Sequence, residues 1–215
     1  EIGNSVFSMC SGFTAIKIGD GVTSIGSSAF ASCTGATSLT LGSSITTIAN
    51  NAFYGCTSFK GDLVIPDSMT GTLGAVFQDC GFDGKLTIGS GIETIARSAF
   101  NGNKSTTLEL GKSVTEIEQS AFYDVPLTGT LIIPDSVQTL GKFVFFGSSL
   151  ETIIVPDSVN SFGTSSLQGS SNGYTIYFDS AELSEAAETA YTNKAIVAVT
   201  NGGTFAPDTT FSAST

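Results

Sequence analysis

Short stretches with apolar residues at every second position recur along most of the chain. A short strand with one buried face is the structure that this pattern predicts. A Gly or Pro follows each stretch and ends the predicted strand. The stretches occupy 16–18, 39–41, 63–65, 86–88, 108–110, 131–133 and 153–155.

A second apolar signal separates these strands. The segment Ile25–Phe30 recurs at 48–53, 95–100 and 117–122, and more loosely at 73–77 and 140–145. Its last residue serves as an anchor for alignment. Successive anchors lie about 23 residues apart with little variation, and a fixed period of this length is the signature of a repeat architecture. The anchors are Phe7, Phe30, Phe53, Phe77, Phe100, Phe122, Phe145 and Leu167.

Each repeat is called a rung here; the rungs are numbered one to eight by their anchors, and equivalent positions in successive rungs form a column. A rung offers one strand and a handful of inward apolar side chains, which it cannot bury alone, so neighbouring rungs must stack. The sequence therefore predicts a right-handed, β-solenoid-like stack with one parallel sheet of about eight short strands. Turns and short helical pieces are expected on the return side. Stacked at about 4.8 Å, the rungs make a rod roughly 40 Å long.

The repeat ends near residue 178. The segment Tyr174–Phe178 is predicted as the eighth strand, 180–193 as a helix with Ser180 at its N-cap, and 195–199 as a buried strand. We therefore expect a solenoid over 1–178 with a partial first rung, a C-terminal cap over 179–200, and a flexible tail over 201–215.

The repeat unit resembles the BspA-like leucine-rich repeat. The block Ile-x-x-x-Ala-Phe occurs at a fixed distance from a second block, whose characteristic form is Pro-Asp-Ser at 66–68, 134–136 and 156–158. Residues 36–56 match the unit almost position for position, and the resemblance covers about 1–178. It implies a leucine-rich repeat solenoid in a surface-exposed or secreted protein. Such proteins are implicated in adhesion to host proteins and other cells, without a typical enzymatic activity or universal binding residues.

The composition narrows the function further. The chain has 8 basic and 19 acidic residues, a net charge of −11 and no His. The negative charge opposes binding to nucleic acid, and without His the Ser-His-Asp and Cys-His systems are not available. No apolar run is long enough to span a membrane. Ser and Thr together occupy 58 of the 215 positions, which is typical of turn-rich β proteins.

Four cysteines and three turn aspartates are the remaining candidates for chemistry. Cys10, Cys33, Cys56 and Cys80 each lie three residues after an anchor, so their side chains point the same way about 4.8 Å apart, a poor geometry for disulfides or tetrahedral zinc. We interpret them as a column of small buried thiols. Asp67, Asp135 and Asp157 are expected to bond nearby backbone N–H groups in their turns. Asn103 begins a glycosylation sequon. The sequence predicts no catalytic residue, cofactor or metal.

The outward face of the sheet is the predicted contact surface. In rungs five to eight one outward column consists of threonines, and three of the four rungs have an apolar residue beside it. Stacked strand formers of this kind also stabilise a parallel sheet, so a purely structural role stays open. Exposed apolar rows rimmed by hydroxyls can mark protein contacts. The candidate residues are Thr107, Thr130, Thr152, Thr175, Ile132, Ile154 and Tyr177, with Tyr123 and Phe146 adding aromatic surface at an edge.

These observations favour a non-enzymatic, extracellular or cell-surface module that binds a protein partner, such as a host or cell-surface protein. Two alternatives stay open. One is an architectural spacer that holds another domain away from a surface. The other is a carbohydrate-binding protein, which the absence of Trp and of a carboxylate pair disfavours.

Overall fold

The computed structural model describes residues 1–168 and 174–178 and the backbone of 195–199. It confirms the predicted solenoid. Every strand predicted from the repeat is present, shifted by at most a few residues. These strands stack in parallel on one side, called the front here. They are β1 (Ile16–Lys17), β3 (Leu39–Thr40), β5 (Leu63–Val64), β7 (Lys85–Thr87), β9 (Thr107–Glu109), β11 (Thr128–Ile132), β13 (Ser149–Val155) and β15 (Tyr174–Phe178).

A second series of parallel strands runs between the front strands and the next anchors, and it was not predicted from the sequence. Most of its members are too short to show a visible alternation of apolar and polar residues. The expectation of helical pieces was wrong for the described residues, which hold turns and these strands but no helix. The series comprises β2 (Ser24–Ile25), β4 (Thr47–Ile48), β6 (Gly71–Leu73), β8 (Ile92–Ile95), β10 (Glu116–Ile117), β12 (Thr139–Leu140) and β14 (Ser161–Phe162).

Strand pairing is interrupted at defined places. On the front, β1 pairs with β3, β5 continues through β7 to β9, and β11 continues through β13 to β15. No strand pairing joins β3 to β5 or β9 to β11. The second series breaks once among the described residues, between β4 and β6. Rungs two and three are therefore not joined by strand pairing, either on the front or in the second series.

The anchors form the centre of the core. The seven phenylalanines from Phe7 to Phe145 stack ring on ring, with centroids 5.2–5.8 Å apart and planes within 20° of parallel. All but the first are buried. A fully buried Phe contributes about 3–5 kcal/mol by truncation to Ala, and aromatic contact adds about 0.5–1.5 kcal/mol per pair. The ladder thus stabilises the contact between successive rungs from rung one to rung seven.

The chain bends sharply on both sides of an anchor. Ser28 and Ser32 flank Phe30 with φ of 54° and 57°, and most other anchors are flanked in the same way. Residues of this left-handed conformation are ordinarily Gly or Asn because a side chain disfavours it. The column two positions before the anchor consists of Ser or Asn except at Ala75, which does not adopt this conformation, and at Phe143, whose φ is 57°. This column explains part of the high Ser content.

Variation in rung length is confined to one segment. The distance along the chain from the first core residue of each front strand to the next anchor is the same in every rung, as in Ile16 to Phe30 and Leu63 to Phe77. The distance from an anchor to its front strand varies, and it is longest from Phe53 to Leu63. The constant part contains both strands, and a change in its length would turn their buried side chains to the opposite face. The variable part is a turn.

The predicted C-terminal features lie mostly outside the described residues. The cap helix over 180–193 and the tail over 201–215 are among these. The backbone of β16 (Ala195–Val199) is described, and it pairs in parallel with β15, from Tyr174 with Ala195 to Phe178 with Val199. A strand at this position agrees with the sequence.

Candidate protein-binding surface

The outward columns of the last rungs are aligned as the sequence predicts. Thr130 pairs with Thr152 and Thr152 with Thr175 across β11, β13 and β15, while Ile132 pairs with Ile154 in the neighbouring column. A register shift between Gly129 and Thr130 precedes the aligned part. The alignment brings hydroxyl and apolar columns side by side over three successive rungs.

Thr107 stands apart from this alignment. It lies in β9, where it pairs with Lys85 of the preceding rung, and no strand pairing connects β9 to β11. Beside it, Lys85 and Glu109 form an ion pair between exposed side chains. Thr107 is exposed, but its surroundings are charged, whereas the columns of the later rungs are not.

Exposure divides the remaining candidates. Ile132 is 63% exposed, which is unusual for a large apolar side chain within a strand, and Thr130 is also exposed. Thr152, Ile154 and Thr175 are half-buried. These five residues, Thr130, Ile132, Thr152, Ile154 and Thr175, are called the front patch. Their side chains carry no charge.

Tyr177 does not belong to the front patch. It pairs with Ile154 as expected, but only 8% of it is exposed. The next strand, β16, lies alongside with Ala198 in register with Tyr177. The expectation that Tyr177 points into open solvent is therefore wrong, and a substitution there would disturb the fold.

The two edge aromatics lie in turns and not on the sheet. Tyr123 and Phe146 follow their anchors directly, and their rings stack with centroids 5.2 Å apart at 10°. Phe143 meets Phe146 edge-on at 5.8 Å. All three rings are half-buried. Phe143 was not among the predicted residues, although a Phe in a column that otherwise holds only Ser, Asn and one Ala was a visible signal.

The cysteine column is confirmed as a set of free thiols, of which Cys33, Cys56 and Cys80 are buried and Cys10 is half-buried. Each buried thiol donates a hydrogen bond to the anchor carbonyl of the rung before, at 3.0–3.2 Å. Burial raises the pKa of all three, that of Cys56 to about 12. Buried protonated thiols are poor nucleophiles and metal ligands.

The turn aspartates bond differently from the prediction. Oδ1 of Asp67 accepts hydrogen bonds from the backbone N and Oγ of Ser90, one rung later, at 2.6 and 2.9 Å. Asp20 makes the same pair of bonds to Ser43. These bonds, the backbone one foremost, lower the pKa of both carboxyls. Asp therefore links successive rungs, and no such bond is found for Asp135 or Asp157 among the described residues.

Other candidate chemistry finds little support in the geometry. Within the described ranges no group of three or more His, Cys, Asp or Glu side chains could hold a metal ion. Asn103 of the sequon is fully buried, and its Oδ1 accepts bonds from the N and Oγ of Ser105, so the folded chain does not expose it for glycosylation. No helix in the described part of the chain is long and apolar enough to cross a membrane.

A stack of short, regular rungs with parallel strands and a buried aromatic ladder defines a leucine-rich repeat solenoid of the β-rich kind. The model of the BspA type leucine rich repeat region matches residues 1–128 and 93–214, in 6 copies. The chain belongs to this family. A search of curated proteins finds no match to the sequence.

Two solved structures share the fold. A leucine-rich repeat protein from Bacteroides ovatus is 20% identical, with a TM-score of 0.56 over 93% of this chain and 63% of its own. A leucine rich cell surface protein from Faecalibacterium prausnitzii is 20% identical, with a TM-score of 0.52 over 82% of this chain and 63% of its own. The chain is thus similar to less than two thirds of each of these proteins.

Proposed function

We propose that this chain is a non-enzymatic protein-binding module of a secreted or cell-surface protein, and that it contacts its partner through the front patch. The observation that carries the proposal is the exposure of Ile132, 63%, in the first strand of a patch of uncharged side chains on stacked strands. An apolar side chain gains by leaving water, so its exposure on a sheet favours a contact there. The threonines beside it offer hydrogen bonds at the rim.

The location is part of the same proposal. Proteins of this family occur at bacterial surfaces, and one structural relative is described as a cell surface protein. The scarcity of charged side chains on the front patch favours contact with a protein over a nucleic acid or an anionic lipid. Adhesion to a host protein or to another cell is the function that combines these features.

The test uses the fluorescently labelled chain, immobilised extracellular-matrix proteins and cultured epithelial cells. Replacing both Ile132 and Ile154 by Ser is expected to lower binding at least tenfold, because the apolar contact area of the front patch is lost. The matched control is Val6→Ser, since Val6 is 55% exposed and lies in the first rung. Circular dichroism melting checks that both variants fold.

Three results would contradict the proposal. Binding by the unaltered chain that survives the double substitution would exclude the front patch. An absence of binding to every matrix protein and cell tested would favour the spacer. A strong signal on a glycan array instead would favour carbohydrate binding, with the cluster of Tyr123, Phe143 and Phe146 as the place to look.

A further inference from the structure

A cleft opens on the front between rungs two and three. The two rungs are joined before the strands, where Lys60 N donates to Thr37 O at 2.9 Å. They are joined again after the strands, where Ser68 Oγ donates to Ile45 O at 2.6 Å. Between these bonds β3 and β5 are unpaired. The separation coincides with the turn from Phe53 to Leu63, the longest of its kind.

The cleft has the size and the lining of a binding site. Its volume is about 470 Å³, within the usual range for ligand clefts. Val64, 58% exposed, stands on one wall, and the half-buried Leu39 and Leu41 form the other. The site could not be predicted from the sequence because it depends on the displacement of two rungs and not on any motif.

The charges of the cleft have one sign. Asp62 and Asp67 line it, and no Lys or Arg does. Oδ1 of Asp62 accepts a bond from Lys85 N at 2.8 Å, and Oδ1 of Asp67 accepts its two bonds from Ser90. Within the described part of the chain, Oδ2 of each carboxylate is left without a hydrogen bond. Each acid can therefore accept a bond from an incoming cation.

The lysines nearest to the cleft do not neutralise these acids. Lys60 lies two residues before Asp62, but it forms an ion pair with Asp83 at 3.2 Å. Lys17 lies one strand away, beside Thr40, and its charge helps to lower the pKa of Asp20. Lys85 lies on the other side and pairs with Glu109. Each lysine therefore faces an acid of its own.

The two acids lie at opposite ends of the cleft, because Asp62 directly precedes β5 and Asp67 lies beyond the other end of this strand, five positions after Asp62. Five residues of extended chain at about 3.3 Å each span roughly 16 Å, which is an upper limit for their separation because Asp67 lies in a turn after β5. One cationic side chain cannot reach both. Two cations on one extended segment can, and an apolar residue between them would meet Leu41 and Val64.

We propose that this cleft binds an extended peptide segment of a partner protein whose basic side chains lie four positions apart with an apolar residue midway between them. In an extended chain these three side chains point to the same side. The aliphatic stems of Lys or Arg pack on the leucine wall while their charged ends reach Asp62 and Asp67. The site lies three rungs away from the nearest strand of the front patch and does not depend on it.

The test is fluorescence anisotropy with the labelled peptide Lys-Ser-Val-Ser-Lys, blocked at both ends, and the whole chain. Weak, saturable binding in the micromolar to millimolar range is expected. The double substitution Asp62→Asn, Asp67→Asn is expected to weaken it at least tenfold, while the Asn side chains keep the Oδ1 acceptors that the fold uses. A peptide with Glu in place of both Lys residues is expected not to bind.

A matched variant separates this site from the general attraction of a chain with net charge −11. Asp135→Asn removes a carboxylate from an equivalent Pro-Asp-Ser turn three rungs away, and binding should not change. Nuclear magnetic resonance should place the largest shifts at residues 39–41 and 62–67. The proposal is overturned if the double variant binds as well as the unaltered chain, if Asp135→Asn weakens binding equally, or if no peptide binds at millimolar concentration.

Because Ile132 and Ile154 are not part of the cleft, their replacement by Ser should leave peptide binding unchanged. Loss of cell binding without loss of peptide binding would thus concern the front patch alone. Loss of peptide binding without loss of cell binding would concern the cleft alone. Failure of either proposal is therefore recognisable without the other.

Discussion

At the scale of single residues, the chain uses small polar side chains to join one rung to the next. Asp20 and Asp67 accept bonds from Ser43 and Ser90, and three buried cysteines donate to anchor carbonyls. Each of these bonds is distant along the sequence but spans only one rung in space. A thiol in this position fills core volume, and it gives the anchor carbonyl a second hydrogen bond beside the one from the backbone N–H three residues later.

The cysteines should differ sharply in reactivity. With iodoacetamide at pH 8 we expect Cys10 to be alkylated in the folded chain while Cys33, Cys56 and Cys80 are protected. At a pKa of about 12, only about one Cys56 thiol in ten thousand is ionised at this pH. Mass spectrometry of tryptic peptides measures the reaction. In guanidinium all four should react, and rapid alkylation of Cys56 in the folded chain would show that the column is not buried.

At the scale of elements, the constant length of chain from front strand to anchor sets the register of the whole stack. Rung three makes this clearest. The distance from Leu63 to the core residue of its second strand, Leu73, is one residue longer than in the other rungs, and the distance from Leu73 to Phe77 is one residue shorter, so the sum is unchanged. Turns from anchor to strand absorb length differences because few core side chains lie in them. An extra residue in a turn costs little closure entropy.

An insertion experiment tests this division. One Gly placed between Thr106 and Thr107 gives rung five the local sequence that rung six has at Thr128-Gly129-Thr130, and it should lower stability by less than about 1 kcal/mol. One Gly placed between Ser113 and Val114 displaces buried core residues and should cost at least about 3 kcal/mol. Thermal and urea unfolding measure both. Equal losses would show that the turn is as constrained as the strands.

The sequence predicted the elements that repeat and missed those that depend on contacts between rungs. The period placed the front strands and the anchors because each apolar residue recurs eight times over. The second strands, such as Thr47–Ile48, are too short to show a pattern of their own. Tyr177 is buried although it continues an outward column, in a strand that pairs with β16 beyond the end of the repeat. The cleft beside Val64 depends on where pairing between two rungs stops. Neither is encoded in a single repeat.

At the scale of the whole molecule, the chain is a line of similar units in which each contacts only its neighbours. Stability is then the sum of rung terms and of contacts between adjacent rungs. Surfaces on different rungs, such as the front patch and the cleft, can therefore change independently. The net charge of −11 and the absence of His are properties of the whole chain and do not locate a site.

The aromatic ladder has a mechanical consequence. A load applied to the two ends of the chain falls first on a terminal rung, whose ring contact breaks before the next one is stressed. Each released rung of about 23 residues adds roughly 75 Å of slack chain. In an optical trap we expect extension in steps of this size, with a larger force needed where the rings are fully buried than at Phe7. A single rupture of the entire stack would contradict this. If the two ends of the chain were pulled apart by flow at a surface, the stepwise release of rungs would lengthen the chain and lower the peak force on its attachment.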